Sequence, residues 1–486
     1  MTSHPLTFPS FRVILANERP LLAGLLVMML ARMIAIFVTP LSFGVDEAQY
    51  WLWGQDLAFG YYSKPPLIGW YLGMMDGLFG SSAVAARFLA PVIHTIIALF
   101  LYRIAAAHHS QKAGRWAALF WASLPLVSLG SFVISTDTLL ILPWVIALGV
   151  FYQAETTGKA QHYLITGLII GIGVLAKYAA IYFIIGTLLH LIFISQASVK
   201  ASCRNLALIL SGAVITASPN LLWNLANGGV TFAHLGENAD LAQPLYSVES
   251  ALNFILSQSA VAGPVLFVIL CAALLRSRTL KQSAPLASYL CFAVPVLIIM
   301  VGQAYLKTAN ANWAATAWPS LCLIAGIALA TIIPPIWGRL ALSVNLFAAL
   351  ILVIALGLGD LLFLTPKSDP LRRLRGWETL AQDTKKLAET YQTPFIVADR
   401  RAEAALLSWY LHDSGLAVKM LNEDGVAGNH YERDHALSDA HRPALILSTP
   451  DATLPASLAD ATGPIGASVA QISARKSRHK TFYILK

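Results

Sequence analysis

Charge is what this sequence has least of. Only 12% of its 486 residues are Asp, Glu, Lys or Arg, whereas 57% are hydrophobic and the mean hydropathy is +0.64. A soluble domain carries about 25% charged residues, so roughly half of the usual charge is missing and lipid must solvate much of the chain. A polytopic membrane protein follows. Cysteine is also scarce: Cys203, Cys271, Cys291 and Cys322 all lie in or beside apolar segments, which speaks against a disulfide framework or a CxxC metal site. No HExxH or His-x-His spacing supports a preformed zinc site, and no glycine-rich phosphate or dinucleotide loop occurs. No internal repeat is found, which weakens a secondary-transporter reading. The net charge of +8 is spread between hydrophobic runs rather than gathered into a basic patch with stacking aromatics, so nucleic acid is not an expected partner.

What is present is a succession of apolar runs. A span needs about 20 such residues. The stretches 20–40, 83–104, 114–134, 138–154, 162–177, 178–196, 205–223, 251–275, 284–304, 313–333 and 340–364 predict about eleven transmembrane helices. Residues 1–19 lack a compact cleavage pattern, so the first span is expected to stay in place. With the N-terminus cytoplasmic, the inner loops hold Arg12, Arg103, Arg115, Lys159, Lys200, Arg204, Arg276 and Arg339. The outer side then keeps Lys64, Lys177 and Lys307 among acids such as Asp46, Glu47, Asp56, Asp76 and Asp137. That asymmetry fits the positive-inside rule. An anionic ligand would explain the few outer lysines.

The expected organisation is a mainly α membrane domain over 1–364, with a first outer loop at about 41–82, and a small soluble α/β domain over 365–486. In the latter, 377–391 and 402–412 have helical spacing, and 395–399, 417–421, 444–448 and 482–485 read as strands.

The chain is organised around 42–66, SFGVDEAQYWLWGQDLAFGYYSKPP. Ionisable groups beside a bilayer are costly, so such a cluster is a functional-site hypothesis by default. Asp46 and Glu47 could be a solvated helix cap, yet Tyr50, Trp51 and Trp53 flank them, and a carboxylate against aromatic walls can be tuned as a general base. Lys64 could snorkel to the interface, but two following prolines fix its seat, which suits phosphate binding. Lys177 has the same two readings. Asp137 in STDTLL also reads as a helix cap. Asn220 and Asn224, His234, Lys307 and Asn312 fall at the same outer level, and Arg32, deep in the first span, is expected to face the bundle.

These motifs resemble a known family. GVDEAQYWLWGQDLAFGYYSKPPLIGWYLG, GSSAVAARFLAPV, STDTLL, LAKYAA, PNLLWNLANGGVTFAHL and NANWAATAWPS are similar to stretches of integral-membrane glycosyltransferases with the GT-C fold. The nearest branch holds protein O-mannosyltransferases, aminoarabinose transferases of lipid A and galacturonosyltransferases of lipopolysaccharide core. The resemblance implies an inverting glycosyltransferase of the bacterial inner membrane, with its active site and C-terminal domain periplasmic. Its partners would be a polyprenyl-phosphate sugar donor, membrane lipid and a glycolipid or protein acceptor. It implies Asp46 as base, with Glu47 and the second acid Asp137 nearby. Lys64, Lys177 and Tyr62 would face the donor phosphate, and Arg87, Asn224, His234 and Lys307 would line the substrate pocket. Ser63 departs from the acid often found before the KPP lysine, so a divalent metal is left open. The competing class is a transporter or flippase of a lipid-linked sugar using the same charges without bond chemistry; a third is a non-catalytic partner in envelope assembly.

Overall fold

The computed structural model describes residues 8–239, 246–276, 286–358, 372–422, 425–450, 454, 458–473 and 476–486. The end of the last predicted span and the start of the stretch that follows it lie outside the described residues.

Among the described residues, seven helices are long and apolar enough to cross a membrane: Arg19–Val38, Ala83–His108, Thr136–Thr157, Val199–Ala226, Leu286–Leu306, Ala311–Thr331 and Pro335–Leu356. Val248–Ala262 and Pro264–Leu275 make an eighth if counted as one span, but they are bent by 111°. The sequence-based count of about eleven is therefore not confirmed. Some predicted spans are real apolar helices that are short, as with Ala160–Ala176 and Tyr178–Phe193. Others are broken: the run 114–134 is divided into Gln111–Ser123 and Pro125–Gly130, because Pro125 supplies no N–H to continue the ladder. The bend at 263 has a comparable cause. Gly263 has φ +85°, and a Cβ there would fall 1.8 Å from Asn345 Oδ1. Asn345 in turn donates to Ala262 O at 2.9 Å, which binds the opened helix end.

The described chain divides into two compact units. The first comprises Met1–Phe37, Lys64–Leu67 and Arg87–Ile354; the second comprises Val38–Ser63, Ile68–Ala86 and Ala355–Lys486.

In the first unit, the buried charged side chains Arg32 and Glu18 are hydrogen-bonded, as a low-dielectric interior demands. Arg32 donates to Ala122 O and, at 3.1 Å, to Ser128 Oγ, so it faces protein as its position in the first span required. Glu18 is held by Arg115 at 2.8 Å and Tyr102 at 2.7 Å. Helices Ala160–Ala176 and Val199–Ala226 touch through backbone: a Cβ on Gly167 would lie 2.1 Å from Ile209 O. Small residues allow this approach, which is how apolar helices gain contact in lipid.

The second unit contains a five-stranded sheet. Its strands are β1 (Phe395–Ala398), β2 (Ala417–Met420), β3 (Ala444–Ser448), β4 (Thr462–Ser473) and β5 (Lys476–Leu485), in the order β2-β1-β3-β5-β4. β1 pairs in parallel with β2 and β3, and β5 runs antiparallel to β3 and β4. Val397, Ala444, Ile446, Leu458 and Leu485 form a core cluster of this sheet region. Helix Trp377–Tyr391 matches the predicted bounds, and helix Arg401–Tyr410 lies within a residue or two of them. β4 was missed, because its Gly, Pro, Ser and Ala residues break the apolar alternation that marks a strand. Helix Val45–Gln55, from the motif at 42–66, belongs to this unit. Its Trp51 packs edge-on against Trp409 at 5.0 Å, and Phe43 lies 4.2 Å from the same ring.

Candidate active site

In the second unit, helix Val45–Gln55 begins just after Gly44, and its two adjacent acids take different duties. Glu47 is 1% exposed, and its Oε2 accepts from Gly44 N–H at 2.9 Å. It satisfies a first-turn donor that the helix itself cannot. Asp46, one residue earlier, points away, with 63% of its side chain exposed. Arg401 grips Asp46 Oδ1 through Nη2 at 2.8 Å and Gln49 Oε1 through Nη1 at 2.8 Å. The guanidinium fork thus fixes one carboxylate oxygen and leaves Oδ2 for another donor. Arg401 and Gln49 were missed from sequence. An arginine 355 positions from its partner carries no local signal.

The aromatic wall beside Asp46 is packed. Trp53 stacks on Tyr61 at 4.8 Å, and Tyr61 donates to Trp53 O at 2.8 Å. Burial raises the Tyr61 hydroxyl above its ordinary range, so it stays protonated as a donor. Trp51 Nε1 donates to Asp76 at 2.9 Å. Burial pushes the Asp76 carboxyl up, but hydrogen bonds from Ser81, Trp51 and Gln55 outweigh it and hold the group below the usual range. Tyr62 is buried, and its hydroxyl donates to Ala427 O at 2.8 Å, tying the first loop to the C-terminal stretch.

In the first unit, several predicted polar groups meet at helix ends. Asp137 lies in the first turn of Thr136–Thr157, whose N-cap is Ser135. Lys177 follows the last turn of Ala160–Ala176 in extended conformation, because Tyr178 starts a new helical turn. The break lets Lys177 Nζ reach Asp137 Oδ1 at 2.7 Å, while Asn312 Nδ2 donates to Asp137 Oδ2 at 3.1 Å. Both oxygens of this carboxylate are thereby engaged.

Next along the chain, Tyr178 donates to Asn220 Oδ1 at 2.8 Å and accepts from Asn224 Nδ2 at 3.1 Å. Asn220 and Asn224 are fully buried, and Asn224 Oδ1 accepts from Thr231 N–H at 3.3 Å. Asn224 thus anchors the turn that leads into helix Val230–Ala239, on which His234 is half-buried. Arg87 is buried, its guanidinium 4.9 Å from the centre of the Phe132 ring. Lys64 is half-buried within Lys64–Leu67, and Lys307 is half-buried just beyond helix Leu286–Leu306. Among the described residues, no group of three or more His, Cys, Asp and Glu side chains could hold a metal ion.

Chemically, the second unit offers a carboxylate with one oxygen fixed, and the first an ammonium oriented by a saturated carboxylate. Comparison with known proteins agrees on the class. The dolichyl-phosphate-mannose-protein mannosyltransferase family matches residues 63–223. The ArnT structure from Cupriavidus metallidurans bound to undecaprenyl phosphate superposes with a TM-score of 0.65 at 15% identity, covering 96% of this chain and 97% of that one. Its apo state gives 0.63 at 13% identity, covering 96% and 98%. These likenesses establish the GT-C fold. In sequence, the lipid A galacturonosyltransferase RgtD of Rhizobium johnstonii is 31% identical over 423 residues, which are 85% of this chain and 88% of that protein. Identity sustained across nearly the whole of both proteins, on a shared fold, means that this chain belongs to the RgtD family of GT-C integral-membrane glycosyltransferases and is itself a glycosyltransferase.

Proposed function

We propose that the enzyme moves a galacturonosyl residue from a polyprenyl-phosphate carrier to lipid A or a closely related envelope glycolipid. The observation that carries this reading is the similarity to a lipid A galacturonosyltransferase over 85% of the chain. The ArnT structure with undecaprenyl phosphate supports the carrier.

In this reading Asp46 is the base. Its Oδ2 takes the proton of an acceptor hydroxyl as that oxygen bonds to the anomeric carbon, and the bond from that carbon to the carrier phosphate breaks with inversion. Phosphate is a good leaving group, so no acid partner is needed, unlike glycoside hydrolysis with its two carboxylates. Lys64 and Lys177 offset the charge left on the carrier phosphate. Asp137 and Asn312 hold the Lys177 ammonium in place, and Arg401 and Gln49 hold Asp46. Glu47 shapes the helix start and leaves the proton transfer to its neighbour. Arg87, Asn224, His234 and Lys307 are assigned to the substrate pocket, with Tyr62 supporting the loop that carries Lys64.

We assign the membrane domain to 1–364 and the soluble domain to 365–486, in the bacterial inner membrane with the site and the C-terminal domain periplasmic. The asymmetry of Lys and Arg between loops supports that orientation. The test is mass spectrometry of envelope glycolipids from cells with and without the gene, followed by transfer with purified enzyme and polyprenyl-phosphate galacturonic acid. A missing uronic-acid mass in the deletion strain, restored in vitro, is expected. Unchanged lipid A and core masses would overturn the acceptor.

A further inference from the structure

Away from these residues, the first unit has a cavity of about 380 Å³ that includes Glu155, Tyr163, His190, Ser195, Arg204 and Asn205 among its lining residues. It gathers the C-terminal end of helix Thr136–Thr157, the start of Ala160–Ala176, the end of Ile181–Phe193 and the start of Val199–Ala226. These are the ends marked by Lys159, Lys200 and Arg204, opposite in the chain's alternation to the ends that carry Asp137 and Lys177. We propose that this cavity binds the headgroup of a phosphoethanolamine phospholipid, with Glu155 receiving the ammonium and Arg204 the phosphodiester.

A carboxylate at the end of an apolar span is costly, and this one has been fixed in place. Glu155 Oε1 accepts from Tyr163 at 2.7 Å, and Oε2 lies 3.1 Å from His190 Nε2. The other nitrogen of that imidazole lies 2.8 Å from Ser288 Oγ, which is 3.2 Å from the Tyr152 hydroxyl. His190 and Ser288 are buried, so the row reaches from the cavity wall into the bundle. The row reaches the cavity wall at Glu155, which Ser195 of the same wall also hydrogen-bonds, so the carboxylate is held in place facing the cavity.

Charge selects the ligand. Asn205 Oδ1 takes two N–H donors of Arg204, at 3.3 and 3.0 Å, and a guanidinium has five, which suits a phosphate oxygen pair. The ligand therefore carries an anion and a cation a few bonds apart. The carboxylate calls for a cation that can donate hydrogen bonds, which a primary ammonium does and a quaternary one cannot. A glycerol headgroup would bring no cation to Glu155. Beside the cavity in sequence, Phe193 is 72% exposed and Val199 82% exposed, apolar surface that acyl chains would cover. That favours a phospholipid over a free phosphoester.

The test uses the full-length protein, purified from membranes containing phosphatidylethanolamine and examined by native mass spectrometry. It is then reconstituted in phosphatidylglycerol vesicles with or without added dioleoylphosphatidylethanolamine. Wild type should retain phosphatidylethanolamine in preference to phosphatidylglycerol. Glu155→Gln and Arg204→Ala should each weaken retention about tenfold, the scale of one charge-assisted hydrogen bond, and Arg204→Lys should keep part of it. Thermal unfolding should be raised by dioleoylphosphatidylethanolamine in wild type and not in Glu155→Gln. The proposal fails if wild type holds both lipids equally, or if both variants retain phosphatidylethanolamine like wild type. Binding of O-phosphoethanolamine by wild type that retains no phosphatidylethanolamine, lost in Glu155→Gln, would overturn the phospholipid assignment.

Discussion

The two carboxylates assigned to the reaction, Asp46 and Asp137, differ in how much of each is left for a substrate. Asp137 is 17% exposed, with one oxygen on Lys177 and the other on Asn312. Asp46 is 63% exposed and is fixed through Oδ1 to Arg401. A carboxylate whose two oxygens already accept charge-assisted or amide hydrogen bonds is a poor proton acceptor, because taking a proton would sacrifice one of them. One fixed on a single side keeps its direction and its basic oxygen together. In the proposed mechanism this difference makes Asp46 the base and Asp137 an orienting group, although both residues are aspartates near helix starts.

The largest effect is expected from Asp46→Asn. The amide keeps a carbonyl oxygen for Arg401 and removes the base, so turnover should fall about 10²- to 10⁴-fold while donor binding persists. Turnover within a factor of two of wild type would remove Asp46 from the chemistry. Asp137→Asn should act differently. It leaves the Lys177 ammonium without its ion partner, and weaker phosphate capture should raise the donor KM about 10- to 100-fold, with a smaller change in kcat. Equal losses in kcat for the two variants, with unchanged KM, would erase the distinction.

Arg401→Ala should have a smaller effect, about tenfold in kcat, because Asp46 remains but its direction is no longer set. Arg401→Lys should recover part of the loss, as should added guanidinium ion. A loss in protein yield alone, with normal kcat in the folded fraction, would make Arg401 purely structural.

The legible and illegible parts of this site differ in the range of the interaction. Asp137 and Lys177 could be picked out because each interrupts or borders an apolar run, where a charge is expensive. The alternation of spans put both at one outer level, but their mutual contact comes from the break at Lys177 and carries no sequence signal. Glu47 could not be separated from Asp46, since the two are adjacent and only the first-turn geometry assigns one to Gly44 N–H. Arg401 was invisible because its partner is set by tertiary packing of Trp409 against Phe43 and Trp51. The count of about eleven spans is not confirmed for a related reason. Composition registers apolar length, but Pro125 and the Gly263–Pro264 pair break helices whose hydropathy continues through them.

The smallest effect is expected from pH, which should loosen the platform of Asp46. Trp53, on the same helix as Asp46, meets His430 edge-on at 5.7 Å, and His430 Nδ1 is 2.7 Å from Asp434. The His435 ring is 5.2 Å from that of His430. Burial, then the charges of His430 and Lys419, pushes His435 from its ordinary 6.5 down to about 4. Between those values the unfolded chain binds a proton that the folded unit does not. Stability from this group is therefore complete above about pH 6.5 and lost as pH falls toward 4. Partial exposure screens the effect to on the order of 1–2 kcal/mol. Burial also raises Asp434, but the hydrogen bond from His430 and nearby positive charges outweigh it, so its contribution is lost at the acid end as well. Hydrogen exchange in the full-length protein should therefore quicken between pH 7 and pH 5, after correction for intrinsic rates, across 425–437 and across helix Val45–Gln55. His435→Gln should flatten that dependence, because glutamine does not titrate. An unchanged pH dependence in the variant would show that Asp46 rests on a platform indifferent to this cluster.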